Sequence, residues 1–327
     1  MKLLLRLAAG LLGLAALSIL GGWLWLGHYL ETPGPLAQPV TLVISKGAGL
    51  SAISKQLSDA FVIAHPLAFR LGAMRLSKTK ALQAGEYAFA PAMSPRQVME
   101  KLASGEVVIH QFTLVEGRTV RQLLDELQAE TALEGEVAAP PAEGSLLPET
   151  YNFILGETRA QLILRMKRAM DEALAEAWRM RAEGLTLTDP QQLLILASIV
   201  ERETGVAAER PHVAAVFHNR LKKGMRLQSD PTAIYDLSGG LGVLDRPLLK
   251  ADLERASPHN TYVIPGLPPG PIANPGRASL MGAARPAASD DLYFVADGTG
   301  GHAFPASLEG HNRNVANWRK IEKGQGK

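Results

Sequence analysis

The 327-residue chain contains no cysteine. That excludes a disulfide framework, a thiolate metal site, a cysteine nucleophile and a lipid-modified cysteine. The net charge is only +2 and no basic stripe runs through the sequence, so nucleic acid is not an expected partner. G-x-S-x-G, H-E-x-x-H, Walker-type and dinucleotide-binding glycine loops are all missing. The eight histidines are scattered. His212 and His218 lie six apart on an expected helix, the wrong spacing for a shared metal, and His302 and His311 read as surface or structural groups. Acid–base chemistry is what remains.

A long apolar run is present. Leu7 to Gly27 carries no charge over 21 residues. At about 1.5 Å per residue it is long enough to cross a hydrocarbon core of roughly 30 Å. Trp23, Trp25 and Tyr29 stand at its far end, where aromatic side chains favour the membrane interface. The run is long for a signal-peptide core and no small-x-small cleavage site follows, so an uncleaved anchor is expected. Lys2 and Arg6 precede it, and the next basic residue after His28 is Lys46. The positive-inside rule then leaves residues 1–6 cytoplasmic and the bulk of the chain outside, periplasmic beyond an inner membrane in a bacterium.

Residues 28–39, with three prolines and a glycine in Glu31 to Pro39, read as a linker. Residues 40–105 read as a small α+β module. Strands are expected at Val40–Ile44 and Gly85–Phe89, with helices at Leu50–Ala60, Pro66–Met74 and from Ser94-Pro95 to about Ala103. Residues 106–323 read as a larger mixed α+β domain. It opens with a strand over Glu106–Leu114 and a helix over Thr119–Leu127, followed by a surface loop from Ala132 to Leu147. Helices follow at Thr158–Arg181, Asp189 onward, Arg210–Leu221, Ala278–Ala284 and Ser307–Ile321, with a strand at Asp291–Ala296. Residues 224–276 are loop-rich, and so long a loop inside a domain tends to be functional. The fold class is therefore α+β behind a single membrane helix.

The segment Asp189 to Ala207 sets Glu201 at the end of an almost uninterrupted apolar helix. Burial disfavours the charged form of a carboxyl group, and a protonated acid can deliver a proton to a glycosidic leaving group. Glu203 follows two residues later on a different side, and periodicity does not choose between the two. A hydrolytic glycosidase needs two carboxylates across the scissile bond, for which Glu149 and Asp230 are the available second partners. Gln228, Asp230 and Asn260 offer the hydrogen-bonding groups that a sugar demands, although each also suits plain turn punctuation.

Five ordered segments carry a family resemblance: Leu196 to Thr204 (LASIVERET), Met225 to Thr232 (MRLQSDPT), Asn260-Thr-Tyr262, Gly266 to Ala273 (GLPPGPIA) and Leu292 to Asp297 (LYFVAD). In this order the chain resembles the YceG-like endolytic murein transglycosylases, the MltG family, from the anchor nearly to its carboxyl terminus. Ser229 stands where threonine is expected, and the Ala/Pro-rich stretch near 132–144 matches less well. The resemblance implies that the first module is LysM-like and that the larger domain is the catalytic one. It implies Glu201 as a single catalytic acid and base, with Glu149, Tyr151, Gln228, Asp230, Asn260 and Tyr262 contacting substrate, and neither cofactor nor metal. The expected reaction is cleavage of the β-1,4 bond between N-acetylmuramic acid and N-acetylglucosamine, leaving 1,6-anhydro ends. Expected partners are peptidoglycan strands, together with penicillin-binding synthases and other elongation proteins, with strand termination as the role. The competing reading is a non-catalytic peptidoglycan-binding scaffold.

Overall fold

The computed structural model describes residues 1–78 and 82–324, which divide into two compact units, Met1–His110 and Gln111–Lys327. The division falls a few residues beyond the boundary expected at 105.

The first unit begins with α1 (Lys2–Glu31), in which residues 4–31 are long and apolar enough to cross a membrane. Strand β1 (Val40–Ile44) pairs antiparallel with β2 (Gly85–Phe89), Val40 opposite Phe89 and Ile44 opposite Gly85. Between them lie α2 (Leu50–Asp59) and α3 (Pro66–Arg75), and α4 (Pro95–Ser104) follows. A capping box at Ser94 and Gln97, with proline at the first helical position, starts α4, and Gly105 in the left-handed region ends it. Ile44, Leu57, Phe69, Tyr87, Phe89 and Met99 form the core.

Residues 28–39 are not the free tether that their prolines suggest. Helix α1 continues to Glu31, and Leu26, Tyr29, Leu30 and Leu36 are buried in the same core. Gly34 donates its N–H to the carbonyl of Met93. A Cβ there would meet the carbonyls of Met93 at 2.6 Å and Val62 at 2.7 Å, so only glycine fits. Apolar side chains spaced among the prolines hold the segment down.

Strand β3 (His110–Thr113) begins at the last residue of the first unit, leads into the second and pairs with β4 (Thr150–Phe153), with α5 (Val120–Ala129) between them in the chain. Helix α6 (Arg159–Arg179) leads to the central helix α7 (Pro190–Glu203) and then α8 (Arg210–Lys222). The stretch expected to be loop contains α9 (Asp230–Leu237) and a single turn, α10 (Lys250–Leu253). Helix α11 (Arg277–Ala284), a two-residue hairpin of β5 (Val295–Ala296) with β6 (His302–Ala303), and α12 (Leu308–Gly324) complete the unit. Helix α7 packs against α6, α8 and α11. It is enclosed by them, so Leu193 through Glu201 are all buried, and a continuous apolar run rather than a one-sided stripe is what such a position requires.

Candidate active site

The Asp189 carboxylate accepts the N–H of Gln192 and Pro190 occupies the first turn, which fixes where α7 begins. Fourteen residues later α7 ends in Glu201, Arg202 and Glu203. Successive helical residues turn by about 100°, so these three side chains fan out toward three different surroundings.

Glu201 points into protein. One of its oxygens accepts from Arg210 Nη2 at 2.9 Å and the other from the backbone N–H of Gly276 at 2.8 Å. Its side chain is only 3% exposed, and Arg210 is almost as deeply buried while also pairing with Glu116 at 2.9 Å. Gly276 is the residue that caps α11, so this carboxylate binds the ends of α7, α8 and α11 together. Both oxygens are committed. Arg202 turns elsewhere and donates to the carbonyls of Gly117 and Gly242.

Glu203 reaches the wall of an open cavity of about 400 Å³. Ser229 Oγ donates to its Oε1 at 2.5 Å. Burial pushes the Glu203 carboxyl up to about 7; the nearby Asp230 charge adds to the rise, while the Ser229 hydrogen bond, His302 and Arg220 oppose it. The acid is therefore poised between its protonated and ionised forms near neutral pH.

The segment 226–230 shapes the cavity and is held from beneath by Arg220. This guanidinium donates to the carbonyls of Leu227 at 2.8 Å and Leu292 at 2.6 Å and to the Gln228 side chain at 3.3 Å. Gln228 has φ +53°, a left-handed conformation that side chains other than glycine seldom adopt, and it sits on the cavity wall. Behind it Ser229, Thr232 and Thr261 form a buried network in which the Ser229 N–H donates to Thr261 Oγ1 at 2.9 Å. Tyr262 donates its phenol proton to Asp230 at 2.5 Å. Burial and the Asp230 carboxylate both raise the Tyr262 pKa, so this phenol remains a donor.

Tyr293 and His311 line the cavity as well, their rings stacked at 5.1 Å. The Arg220 guanidinium lies 5.1 Å from the Tyr293 ring. Burial, with the charge of Arg220, lowers the His311 pKa, and its buried Nδ1 has no hydrogen-bond partner among the described residues. Among those residues no group of three His, Asp or Glu side chains could hold a metal ion.

Of the expected site residues, Gln228, Asp230 and Tyr262 thus meet around one cavity, and the acid beside them is Glu203. Glu201 is not in it, because its oxygens are taken by Arg210 and Gly276. Asn260 is buried and pins the loop, donating to the carbonyls of Leu253 and Arg255. Tyr151 is buried with its hydroxyl on the carbonyl of Leu147 at 2.7 Å. Glu149 pairs with Arg277 at 2.8 Å and does not line the cavity. His302 is structural, bonded to Glu209 at 2.7 Å, but His311, read as surface or structural, faces the cavity. Arg220 and Tyr293 were missed altogether; Tyr293 lies inside one of the five ordered segments, which was the available signal.

Comparisons with known proteins agree on one family. A model of the YceG-like family matches residues 42–317. The chain is 31% identical over 328 aligned residues to the endolytic murein transglycosylase of Bacillus subtilis, covering 90% of this chain and 89% of that protein. It is 30% identical to the protein of the same name from Streptococcus pneumoniae, covering 92% of this chain and 63% of that longer protein. A crystal structure of a YceG-like protein from Listeria monocytogenes superimposes with a TM-score of 0.53 at 32% identity, covering 84% of this chain and 98% of the other.

Proposed function

Because the chain belongs to the YceG-like family, we propose that it is an endolytic lytic transglycosylase of peptidoglycan in which Glu203, not Glu201, is the acid and base. The observation that carries this assignment is the Glu203 carboxyl, raised to about 7 on the wall of a polar cavity, two residues from a carboxylate with both oxygens committed to protein. A general acid works best with a pKa near the operating pH.

In this reading protonated Glu203 gives its proton to the glycosidic oxygen between N-acetylmuramic acid and N-acetylglucosamine. The C1–O bond breaks and an oxocarbenium-like centre forms at C1 of the muramic acid. Its own O6 hydroxyl attacks C1, and the ionised Glu203 takes the hydroxyl proton. A 1,6-anhydro ring closes, no water is consumed and the acid is regenerated. One carboxyl acting twice removes the need for a second catalytic carboxylate. Asp230 then serves differently: its charge raises the proton affinity of Glu203 and it orients the Tyr262 phenol. Gln228, Tyr262 and the Tyr293 ring supply hydrogen bonds and an apolar face for the glycan.

Helix α1 supports anchoring of the enzyme in the inner membrane, and Lys2 and Arg6 ahead of the apolar run support an amino terminus in the cytoplasm and a catalytic unit in the periplasm. Cleavage close to the membrane fits termination of growing strands beside penicillin-binding synthases. The compact first unit, with its two-stranded sheet and helices, remains the LysM-like module of this reading.

The test is digestion of purified murein followed by mass spectrometry. Anhydro-ended fragments are expected from the wild type and not from Glu203→Gln, while Glu201→Gln retains them in whatever fraction stays folded. Fragments carrying one additional water would indicate hydrolysis, and binding without new chain ends would indicate a scaffold. Full activity in Glu203→Gln would overturn the assignment.

A further inference from the structure

Helix α3 is apolar on two opposite sides, and only one of them has a partner. Ala68, Phe69, Gly72 and Ala73 face the core of the first unit. Leu67, Leu71 and Met74 lie within about 60° of one another on the other side, and they are 59%, 46% and 55% exposed. Core packing explains the first face and leaves the second unexplained.

The second face continues into the apolar end of α1. Gly72 lets the two helices approach: a Cβ there would meet the Leu30 side chain at 2.5 Å. Leu71, Met74 and Arg75 share one largely apolar cleft with Ile19, Trp23 and Trp25 of α1. Arg75 sits over the Trp23 ring, 3.9 Å from its centroid, and donates to the Trp23 carbonyl at 3.3 Å. From Leu7 to Trp25 the helix offers 19 residues, about 28 Å at 1.5 Å each, which is close to the thickness of a hydrocarbon core. The tryptophans and Arg75 then stand at the depth of the head groups, where aromatic rings and cations are favoured. The stripe on α3 adjoins the same depth.

We propose that α3 is a second membrane contact: its Leu67–Leu71–Met74 face lies in the outer interface of the bilayer crossed by α1, and lipid fills the cleft between the two helices. A helix lying in the interface plane buries its apolar side among head groups and the first acyl carbons. The loop entering α3 adds Phe61, 70% exposed in a left-handed conformation at φ +57°, an uncommon backbone state for an exposed aromatic residue. The consequence is mechanical. With one contact the module could swivel about its anchor; with two, its height and tilt above the membrane are fixed. This inference rests on the reading of α1 as a membrane anchor and is independent of the catalytic assignment.

The absence of cysteine makes the test direct, since a single introduced cysteine reports alone. Full-length chain is reconstituted in nanodiscs of phosphatidylethanolamine and phosphatidylglycerol at 3:1. Nitroxide labels are placed through Leu20→Cys in the anchor, Leu71→Cys and Met74→Cys on the stripe, and Lys55→Cys on the exposed side of α2. Collision of each label with oxygen is compared with collision with a water-soluble nickel chelate. Labels at positions 71 and 74 are expected to favour oxygen several-fold more than the label at 55, approaching the label at 20. Labels at 71 and 74 as water-exposed as the one at 55, with 20 embedded, would overturn the interfacial contact alone. A water-exposed label at 20 would overturn the anchor and the proposal with it. Spin–spin broadening at 74 that grows with the protein-to-lipid ratio would assign the face to a second copy of the chain, and would also overturn the lipid contact.

Discussion

Glu201 and Glu203 leave the same helix end two residues apart and enter opposite environments. Glu201 is surrounded by groups that need it: a buried guanidinium and the N–H of a helix-capping glycine, each within 2.9 Å. Glu203 keeps one short bond from Ser229 and otherwise faces a cavity lined by Asp230, Tyr262 and Tyr293. The first carboxylate holds α7, α8 and α11 together, and the second is free to exchange a proton. If Glu203 is the acid and base, burial alone does not make an acid catalytic. What matters is whether its oxygens are already committed and what lies on the open side.

The sharpest way to break this comparison is to remove each carboxylate in turn. Glu203→Gln is expected to lower the rate of anhydro-product formation by about a thousand-fold or more, since a positioned acid–base group contributes factors of 10² to 10⁴ in each role it plays. Its thermal unfolding temperature should not fall, because the amide still accepts the Ser229 hydrogen bond. Glu201→Ala is expected to do the reverse. It leaves the buried Arg210 with only the half-exposed Glu116 as partner and the Gly276 N–H with none, so the loss should lie toward the lower end of the about 3–5 kcal/mol that breaking a buried ion pair costs. Urea unfolding should register that loss, while the activity of the molecules that remain folded stays near the wild-type value. A stable, inactive Glu201→Ala would reverse the two roles.

A third effect follows from the proton itself. Unfolded, Glu203 titrates near its ordinary 4.5; folded, it titrates near 7. Between these values the native state holds a proton that the unfolded state has released, so the contribution of this group to stability falls as pH rises through the window. The difference is on the order of 3 kcal/mol. Urea titrations from pH 4 to 8 should show wild type losing stability relative to Glu203→Gln across that range, with the two curves parallel outside it. Turnover should fall with rising pH above about 7, as the protonated acid is depleted. A wild-type curve parallel to that of the variant throughout would remove Glu203 from the candidate role.

The same pair marks how far the sequence could be read. Elements with local signals were legible to within a residue or two: strands Val40–Ile44 and Gly85–Phe89, and the helices begun by Ser94, Thr119 and Thr158, whose capping boxes are visible as letters. The cavity was half legible. Gln228, Asp230 and Tyr262 stand in ordered motifs and do meet there. Which glutamate joins them depends on Arg210 and Gly276, the latter 75 positions away, and helical spacing says only that the two acids diverge. Asn260 suited sugar binding by residue type and Tyr151 by the family resemblance, but their polar atoms are spent on backbone groups that only the folded loops supply: carbonyls for Asn260 Nδ2 and the Tyr151 hydroxyl, and the Tyr262 N–H for Asn260 Oδ1. Helix α9 was hidden because eight residues opening with Asp-Pro read equally well as a turn. The tether was misread because its prolines outweighed Leu30 and Leu36, two apolar side chains that find a core.

The smallest expected effect separates the carboxyl from the hydroxyl that tunes it. Ser229 donates to Glu203 and thereby favours the ionised form, against the pull of burial. Ser229→Ala leaves the acid, the cavity and Asp230 in place and removes only that donor. The Glu203 pKa should then rise further, by on the order of one unit, since a hydrogen bond to a charged group contributes roughly 1.5–3 kcal/mol and water regains part of it. The alkaline limb of the pH–rate profile moves up accordingly, with the rate at its optimum reduced only a few-fold. The same substitution should leave the stability contributed by Glu201 untouched, because Ser229 makes no hydrogen bond to Glu201, Arg210 or Gly276. A limb that moves to lower pH, or does not move, would mean that the titration seen in turnover belongs to another group in the cavity, and His311 would be the next to substitute.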